Sequence, residues 1–169
     1  GLGQAIAAQV VHPDRKVICI EGDSAFGFSG MEVETACRYR LPIVFVIINN
    51  NGIGGGFDEL PEDPNQNPVS AYTIGAGYEK MIEGFGGKGY AVRTPSELST
   101  ALKQALEDTM PSILNVHVDP HARAKPQKHH WLTSWLFVEP PWVQLGAAIR
   151  RSASRRTRRI RAQFSENFS

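Results

Sequence analysis

The chain has 169 residues, of which 41% are hydrophobic, and its formal net charge is +1. This length and composition predict one sizeable hydrophobic core rather than two. No stretch of the sequence is apolar and long enough to span a membrane, no secretory signal is visible, and the two cysteines provide neither a disulfide framework nor a metal-binding spacing. These features exclude the membrane-spanning and disulfide-rich secreted classes and favour an intracellular globular domain.

The first part of the chain alternates helices with strands. Residues 4–10 predict a helix, and the apolar runs 17–20 and 43–48 predict two strands that are buried on both faces of a parallel sheet. Ser29 and Glu32, between the two strands, have the spacing of a capping box and predict a helix that begins there. This order is typical of α/β domains.

The middle of the chain begins with a segment that lacks an apolar period. Residues 54–70 are rich in proline, glycine and acidic groups, and both interpretations of them stay open: a lid or substrate loop, and a plain surface excursion. After this segment, residues 78–85 predict a short helix and residues 89–93 a strand.

The last predicted elements are a capped helix and a buried strand. Thr94 and Glu97 form a second capping box around Pro95. The helix that follows has an apolar face made of Leu98, Ala101, Leu102, Ala105 and Leu106. Residues 112–118 predict a final strand. Strands that alternate with helices in this way predict a doubly wound, mostly parallel sheet with helices on both faces.

Two polar motifs follow the first two predicted strands. Asp23 lies in the run Glu-Gly-Asp-Ser-Ala-Phe, and Asn50 lies in the run Asn-Asn-Asn-Gly. Each motif alone is more often an ordinary turn. Because the carboxyl ends of neighbouring parallel strands meet at one edge of a sheet, a carboxylate and an amide oxygen are expected to converge there. One carboxylate with one amide suits a Mg²⁺ ion that completes its coordination with phosphate oxygens.

These motifs carry a resemblance to a known family. Gly-Asp followed by a small residue, and an asparagine pair after a helix and an apolar strand, resemble the cofactor-binding motif of thiamine diphosphate-dependent enzymes. The run 22–53 is similar to the branch that contains the 2-hydroxyacyl-CoA lyases and the oxalyl-CoA decarboxylases. The resemblance covers residues 1–133 and implies the thiamine diphosphate-binding fold, here as an N-terminally truncated C-terminal domain.

The resemblance also implies which residues hold the cofactor. The cofactor-binding positions that it implies are Asp23, Ser24, Ala25, Asn50, Gly52 and Ile53. The side chains of Asp23 and Asn50 and the main-chain carbonyl of Gly52 would bind Mg²⁺. No catalytic residue is assigned in this chain, because the family's activating glutamate comes from a separate domain of the partner subunit. We therefore expect the chain alone to bind the cofactor weakly and to show no turnover.

The activity implied by the resemblance is the cleavage of a 2-hydroxyacyl-CoA to formyl-CoA and an aldehyde one carbon shorter, as in fatty acid α-oxidation. A homodimer or homotetramer is implied, and so is a peroxisomal location, although no targeting signal is visible in the chain. The metal motif does not select the substrate. Oxalyl-CoA decarboxylase activity and acetolactate-synthase-like carboligase activity therefore remain alternatives.

The C-terminal part of the chain differs in charge from the rest. Residues 134–169 contain seven arginines and two glutamates, a formal charge of +5, whereas residues 1–133 carry a formal charge of −4. We expect a cofactor-binding domain over residues 1–133 followed by an irregular or disordered basic tail over residues 134–169. Binding to membranes or nucleic acid is not expected. A remaining alternative is a non-catalytic truncated product that binds a partner through this tail.

Overall fold

The computed structural model of the chain describes residues 1–122, and the basic tail and the proposed boundary at residue 133 lie outside them. The elements are, in chain order, α1 (Leu2–Val11), β1 (Ile18–Gly22), α2 (Asp23–Gly27), α3 (Glu32–Arg38), β2 (Val44–Asn49), a 3₁₀ helix (Pro64–Gln66), α4 (Glu79–Glu83), β3 (Lys88–Val92), α5 (Pro95–Glu107) and β4 (Ser112–His117). Within this part of the chain, no helix is both long and apolar enough to cross a lipid bilayer.

The four strands form one parallel sheet in the order β1-β2-β4-β3. The predicted neighbours β1 and β2 are adjacent, with Ile20 opposite Val46. β4 is the last strand in the chain but pairs with both β2 and β3. Because all four strands are parallel, their carboxyl ends lie along the same edge of the sheet.

Helices cover both faces of the sheet, as the alternation of elements predicted. Phe45 and Ile47 of β2 pack with buried side chains of α1, α2, α3 and α4. Val44 and Val46 point to the other face and pack with Ala101 and other residues of α5. β2 is therefore apolar on both faces, which explains its uninterrupted hydrophobic run. The doubly wound α/β prediction is confirmed.

The prediction that β1 is buried on both faces was wrong. Ile18 and Ile20 are 45% and 68% exposed, respectively. The core on their side of the sheet is formed by α5 with residues of β2, β3 and β4, and it does not include β1. The apolar pattern correctly indicated a strand, but it could not indicate which strands α5 would cover.

One predicted helix cap was wrong and the other is confirmed. α3 begins at Glu32 without any side-chain cap, and the Glu32 N–H donates to the Ser29 carbonyl instead, at 2.9 Å. The carbonyls of residues 29–31, in the turns that follow the unpredicted helix α2, accept from the first N–H groups of α3, so the Ser29 hydroxyl is not needed as a cap. At α5, the Thr94 hydroxyl accepts from the Glu97 N–H, and the Glu97 carboxylate accepts from the Thr94 N–H, both at 3.2 Å.

Candidate functional site

The carboxyl ends of β1 and β2 bring the two polar motifs together. Gly22, the last residue of β1, lies opposite Ile48 near the end of β2. Asp23 directly follows β1 and Asn50 directly follows β2. Asp23 is only 2% exposed, although it lies at the edge of the sheet. The fold therefore places a buried carboxylate beside the turn that contains Asn50.

The oxygen atoms of the two motifs converge on one main-chain N–H. The N–H of Gly52 lies 3.1 Å from Oδ2 of Asp23 and 3.2 Å from Oδ1 of Asn50. The other carboxylate oxygen of Asp23, Oδ1, accepts from the N–H of Ser24 at 2.8 Å. The convergence that the sequence predicted for Asp23 and Asn50 is thus present in the structure.

The electrostatic environment of Asp23 favours a cation. Burial raises the pKa of this carboxyl above its ordinary value, and hydrogen bonds from main-chain N–H groups, those of Ser24 and Gly52 first, oppose this shift. Within residues 1–122, no basic side chain forms an ion pair with Asp23. A buried carboxylate without a cationic partner is costly, so a metal ion at this position would stabilise it.

Any further protein ligands of a metal ion beside Asp23 would have to be amide or main-chain carbonyl oxygen atoms rather than carboxylates. No three His, Cys, Asp or Glu side chains come together as a metal site in the part of the chain that the structure describes. A cation beside Asp23 would therefore use the Asn50 amide oxygen, a main-chain carbonyl such as that of Gly52, and oxygens of a ligand or water. This set suits Mg²⁺, which binds a few protein oxygens and retains water or phosphate ligands.

The turn that follows Asn50 is tightly packed. A Cβ atom added to Gly52 would lie 2.7 Å from the Gly55 carbonyl oxygen and 2.9 Å from the Ser70 carbonyl oxygen. Asn51 has a positive φ of 64°, a conformation that asparagine tolerates better than most residues. Only a residue without a side chain fits at position 52 while its N–H points towards Asp23.

A pocket of about 500 Å³ opens beside Asp23. This volume is within the range of small-molecule and cofactor sites. The pocket is lined by Asp23, Ser24, Gly27 and Phe28 from the α2 region, and by Tyr72, Thr73, Ala76 and Tyr78. We call residues 70–78 the wall segment. The pocket thus combines a buried carboxylate with aromatic and small side chains.

The wall segment is bound to the turn at residues 49–53 by hydrogen bonds from main-chain N–H groups. The Tyr72 N–H donates to the Asn51 carbonyl, and the Gly75 N–H donates to Oδ1 of Asn51, both at 2.9 Å. The Ile53 N–H donates to the Ser70 carbonyl at 2.8 Å. The wall segment and the turn that carries Asn50 therefore form one hydrogen-bonded unit.

Tyr78 connects the wall segment to α2. Its ring packs edge to face against Phe26, with 5.5 Å between the ring centroids. Burial, and to a smaller extent the charge of Asp23, raises the pKa of Tyr78. The Tyr78 hydroxyl is therefore a neutral hydrogen-bonding group at neutral pH.

The six predicted cofactor-binding residues occupy different environments. Asp23, Asn50 and Gly52 are hydrogen-bonded together, and Ser24 lines the pocket. Ala25 is exposed on α2, and Ile53 is 53% exposed after the turn. Neither of these two residues is among those that line the pocket.

Sequence reasoning did not find the wall segment or two buried amides. Asn49 and Asn115 are 1% and 0% exposed, respectively, and Asn115 lies within an apolar strand. The sequence contains one signal for Asn115, which is a polar side chain inside the apolar run that predicts the last strand. Nothing in the local pattern indicated which loop this amide would contact.

Residues 1–116 match the family model described as "Thiamine pyrophosphate enzyme, C-terminal TPP binding domain". The chain is 51% identical over 146 residues to 2-hydroxyacyl-CoA lyase 1 of Mus musculus, an alignment that covers 79% of this chain and 25% of that protein. It is 47% identical over 124 residues to oxalyl-CoA decarboxylase of Escherichia coli (strain K12), covering 72% of this chain and 22% of that protein.

Among solved structures, the chain is similar to the Rhodococcus jostii RHA1 thiamine diphosphate-dependent 4-hydroxybenzoylformate decarboxylase. The TM-score is 0.58 and the sequence identity 30%, over 74% of this chain and 23% of that chain. The chain therefore spans about a quarter of the length of these relatives.

Proposed function

Because this chain belongs to the thiamine pyrophosphate enzyme family and contains its C-terminal cofactor-binding domain, we propose that it supplies the Mg²⁺- and diphosphate-binding part of a carbon–carbon lyase. The proposed reaction cleaves a 2-hydroxyacyl-CoA to formyl-CoA and an aldehyde one carbon shorter. The observation that carries the proposal is the buried Asp23 carboxylate, which meets Asn50 at Gly52 without a basic partner among the described residues.

The residues present at the site fit a Mg²⁺–diphosphate group. Asp23 and Asn50 would bind the metal through their side-chain oxygens, and Gly52 through its carbonyl. Ser24 lines the pocket beside Asp23, where its hydroxyl would donate to a diphosphate oxygen. Ala25 and Ile53 are proposed as neighbours of the cofactor on the resemblance alone.

Thiamine diphosphate, when bound, supplies the electron sink for the cleaved carbon–carbon bond. The described residues bind and orient it rather than transfer protons. The main-chain N–H groups of Ser24 and Gly52 hold the Asp23 carboxylate in place. Tyr72 and Tyr78 shape the pocket next to it. No residue of this chain is proposed as a general acid or base.

A second candidate function uses the same site. The identity of 47% to the Escherichia coli oxalyl-CoA decarboxylase supports decarboxylation of oxalyl-CoA as the alternative reaction. The metal-binding residues favour neither substrate. The higher identity of 51% to the mouse 2-hydroxyacyl-CoA lyase 1, over a longer alignment, is the reason for preferring the lyase reaction.

The assembly and location proposed with this function are a homodimer or homotetramer in the peroxisome, involved in fatty acid α-oxidation. Both rest on the resemblance of the run 22–53. Sedimentation of the purified full chain would measure the oligomeric state, and microscopy of the tagged chain would show its location.

Cofactor binding is the direct test of the proposed site. We expect isothermal titration of the full chain with thiamine diphosphate to show binding that requires Mg²⁺. Asp23→Asn should weaken this binding by about 100-fold or more, because it removes the charged metal ligand. The matched control is Asp14→Asn, at an exposed carboxylate outside the site. Binding that is equally strong without Mg²⁺, or in Asp23→Asn, would contradict the proposal.

Turnover tests the reaction. The 169-residue chain alone is expected to produce no formyl-CoA from a 2-hydroxyacyl-CoA. When this chain replaces the matching C-terminal quarter of the mouse 2-hydroxyacyl-CoA lyase 1, the chimera is expected to form formyl-CoA and the shortened aldehyde. Faster consumption of oxalyl-CoA by the chimera would favour the alternative reaction. Turnover by the chain alone at the rate of the complete enzyme would contradict the proposal that this chain supplies only the cofactor-binding part of the enzyme.

A further inference from the structure

Two buried amide side chains connect the site to the middle of the sheet. Asn49 ends β2 and Asn115 lies in β4, the neighbouring strand, and both side chains point to the face that α4 covers. Nδ2 of Asn49 donates to Oδ1 of Asn115 at 3.1 Å. Apolar side chains would fill these positions at a lower desolvation cost. The presence of two amides is therefore best explained by the groups to which they are hydrogen-bonded.

Every hydrogen-bonding atom of the two amides has a partner. Nδ2 of Asn115 donates to the Ala76 carbonyl and to Oε2 of Glu79, both at 2.8 Å. Nδ2 of Asn49 also donates to the Ala76 carbonyl, at 3.3 Å. Oδ1 of Asn49 accepts from the Asn51 N–H at 3.1 Å. The network therefore connects Ala76 of the wall segment to Asn51, the residue between Asn50 and Gly52.

We propose that Asn115 is a positioning residue for the cofactor pocket, because it fixes the Ala76 carbonyl and thereby the wall segment relative to the metal-binding turn. Ala76 itself lines the pocket, together with Tyr72 and Tyr78 of the same segment. The inference rests on the proposed function, since it assumes that this pocket holds the Mg²⁺–thiamine diphosphate group. Asn115 does not touch the cofactor in this scheme; it sets the width of the pocket.

The double variant Asn115→Asp with Glu79→Gln removes the donor to the Ala76 carbonyl while other contacts of position 115 can still form. The aspartate introduced at position 115 could still accept from Asn49, and the glutamine introduced at position 79 could donate to that aspartate, so the network stays satisfied at these two contacts. The aspartate cannot donate to the Ala76 carbonyl, which would keep only the longer bond from Asn49. The variant therefore removes the contact to the wall segment. An ionised carboxylate at this fully buried position also lowers the stability of the whole domain, and exchange in α5 measures that effect separately.

The first measurement is the dissociation constant of thiamine diphosphate from the full chain at saturating Mg²⁺. We expect about tenfold weaker binding in the double variant, as the loss of one buried hydrogen bond predicts. Asn115→Leu, which leaves both Ala76 and Glu79 without this donor, should bind at least as weakly and unfold at a lower temperature. The matched control is Ser112→Ala on the same strand, at an equally buried hydroxyl without a partner among the described residues.

The second measurement requires no cofactor. In the double variant, amide hydrogen exchange of residues 70–78 should accelerate about tenfold more than exchange in α5. A role in overall stability alone would accelerate exchange in both regions equally. That result, or a double variant that binds thiamine diphosphate within about twofold of wild type, would overturn the inference. A wild-type chain that does not bind thiamine diphosphate with Mg²⁺ would instead refute the proposed function itself.

Discussion

Substitution of Gly52 by alanine tests whether the packing of the turn shapes the proposed metal site. The added Cβ would lie 2.7 Å from the Gly55 oxygen, 2.9 Å from the Ser70 oxygen and 2.9 Å from Cδ2 of Phe57. Two of these three neighbours are main-chain oxygen atoms, so a change of rotamer cannot relieve the overlap. The turn would have to open, and overpacking of this kind lowers the free energy of unfolding by about 1–3 kcal/mol.

The same opening would disturb the proposed metal ligands. The Gly52 N–H would move away from the Asp23 carboxylate, which it now contacts at 3.1 Å. A lost hydrogen bond to a charged group costs about 1.5–3 kcal/mol, so thiamine diphosphate with Mg²⁺ should bind at least about tenfold more weakly to Gly52→Ala. Both effects should therefore appear in one variant.

Urea unfolding of the full chain measures the first effect and isothermal titration the second. Gly55→Ala is the matched control, because a Cβ at position 55 would meet no atom within 4 Å. Its free energy of unfolding should stay within about 0.5 kcal/mol of wild type, and its affinity should not change. If Gly52→Ala behaved like Gly55→Ala in both assays, the steric argument for the turn would be refuted.

Three further predictions concern the fold around the site. Thr94→Ala should lower the free energy of unfolding in urea by about 1 kcal/mol, whereas Ser29→Ala, at the cap that does not form, should change it by less than about 0.5 kcal/mol; equal losses would contradict the assignment of the caps. Burial, with Arg93 nearby, lowers the pKa of His117. The unfolded chain should therefore take up this proton first, so that stability falls as the pH drops below 6.5, and His117→Gln should flatten this dependence in pH-dependent thermal unfolding. Burial raises the pKa of the Cys19 thiol to about 11, so alkylation of Cys19 by iodoacetamide at about pH 8, followed by peptide mass mapping, should be slow in the folded chain and fast in urea. Equal rates would contradict the burial of this thiol.

The proximity of Asp23 and Asn50 could be predicted from short-range patterns in the sequence. Asp23 and Asn50 each follow a strong strand signal, and only one assumption was needed, namely that successive strands are neighbours. The observed pairing of β1 with β2 satisfies it. The cap at Thr94 was equally local, since its two hydrogen bonds join residues three apart. Patterns of this kind contain enough information to place two polar side chains at one sheet edge.

The parts that were missed depend on contacts between distant segments. Asn115 reaches Ala76, 39 residues away in sequence, only because β4 inserts between β2 and β3. The alternation of helices and strands predicts a parallel sheet but not this strand order. The exposure of Ile20 has the same origin, because the position of α5 follows from the strand order and not from the apolar period of β1.

The distribution of buried polar groups distinguishes the site from the rest of the core. The buried polar or charged residues of the described part are Gln9, Asp23, Asn49, Ser112 and Asn115. Asp23, Asn49 and Asn115 all contact the turn at residues 49–52 or the wall segment. Apolar residues at these positions would cost less desolvation free energy, and they would fill the core equally well. The three side chains are therefore explained by the pocket that they hold together, whereas the two core clusters on the faces of the sheet consist of apolar side chains.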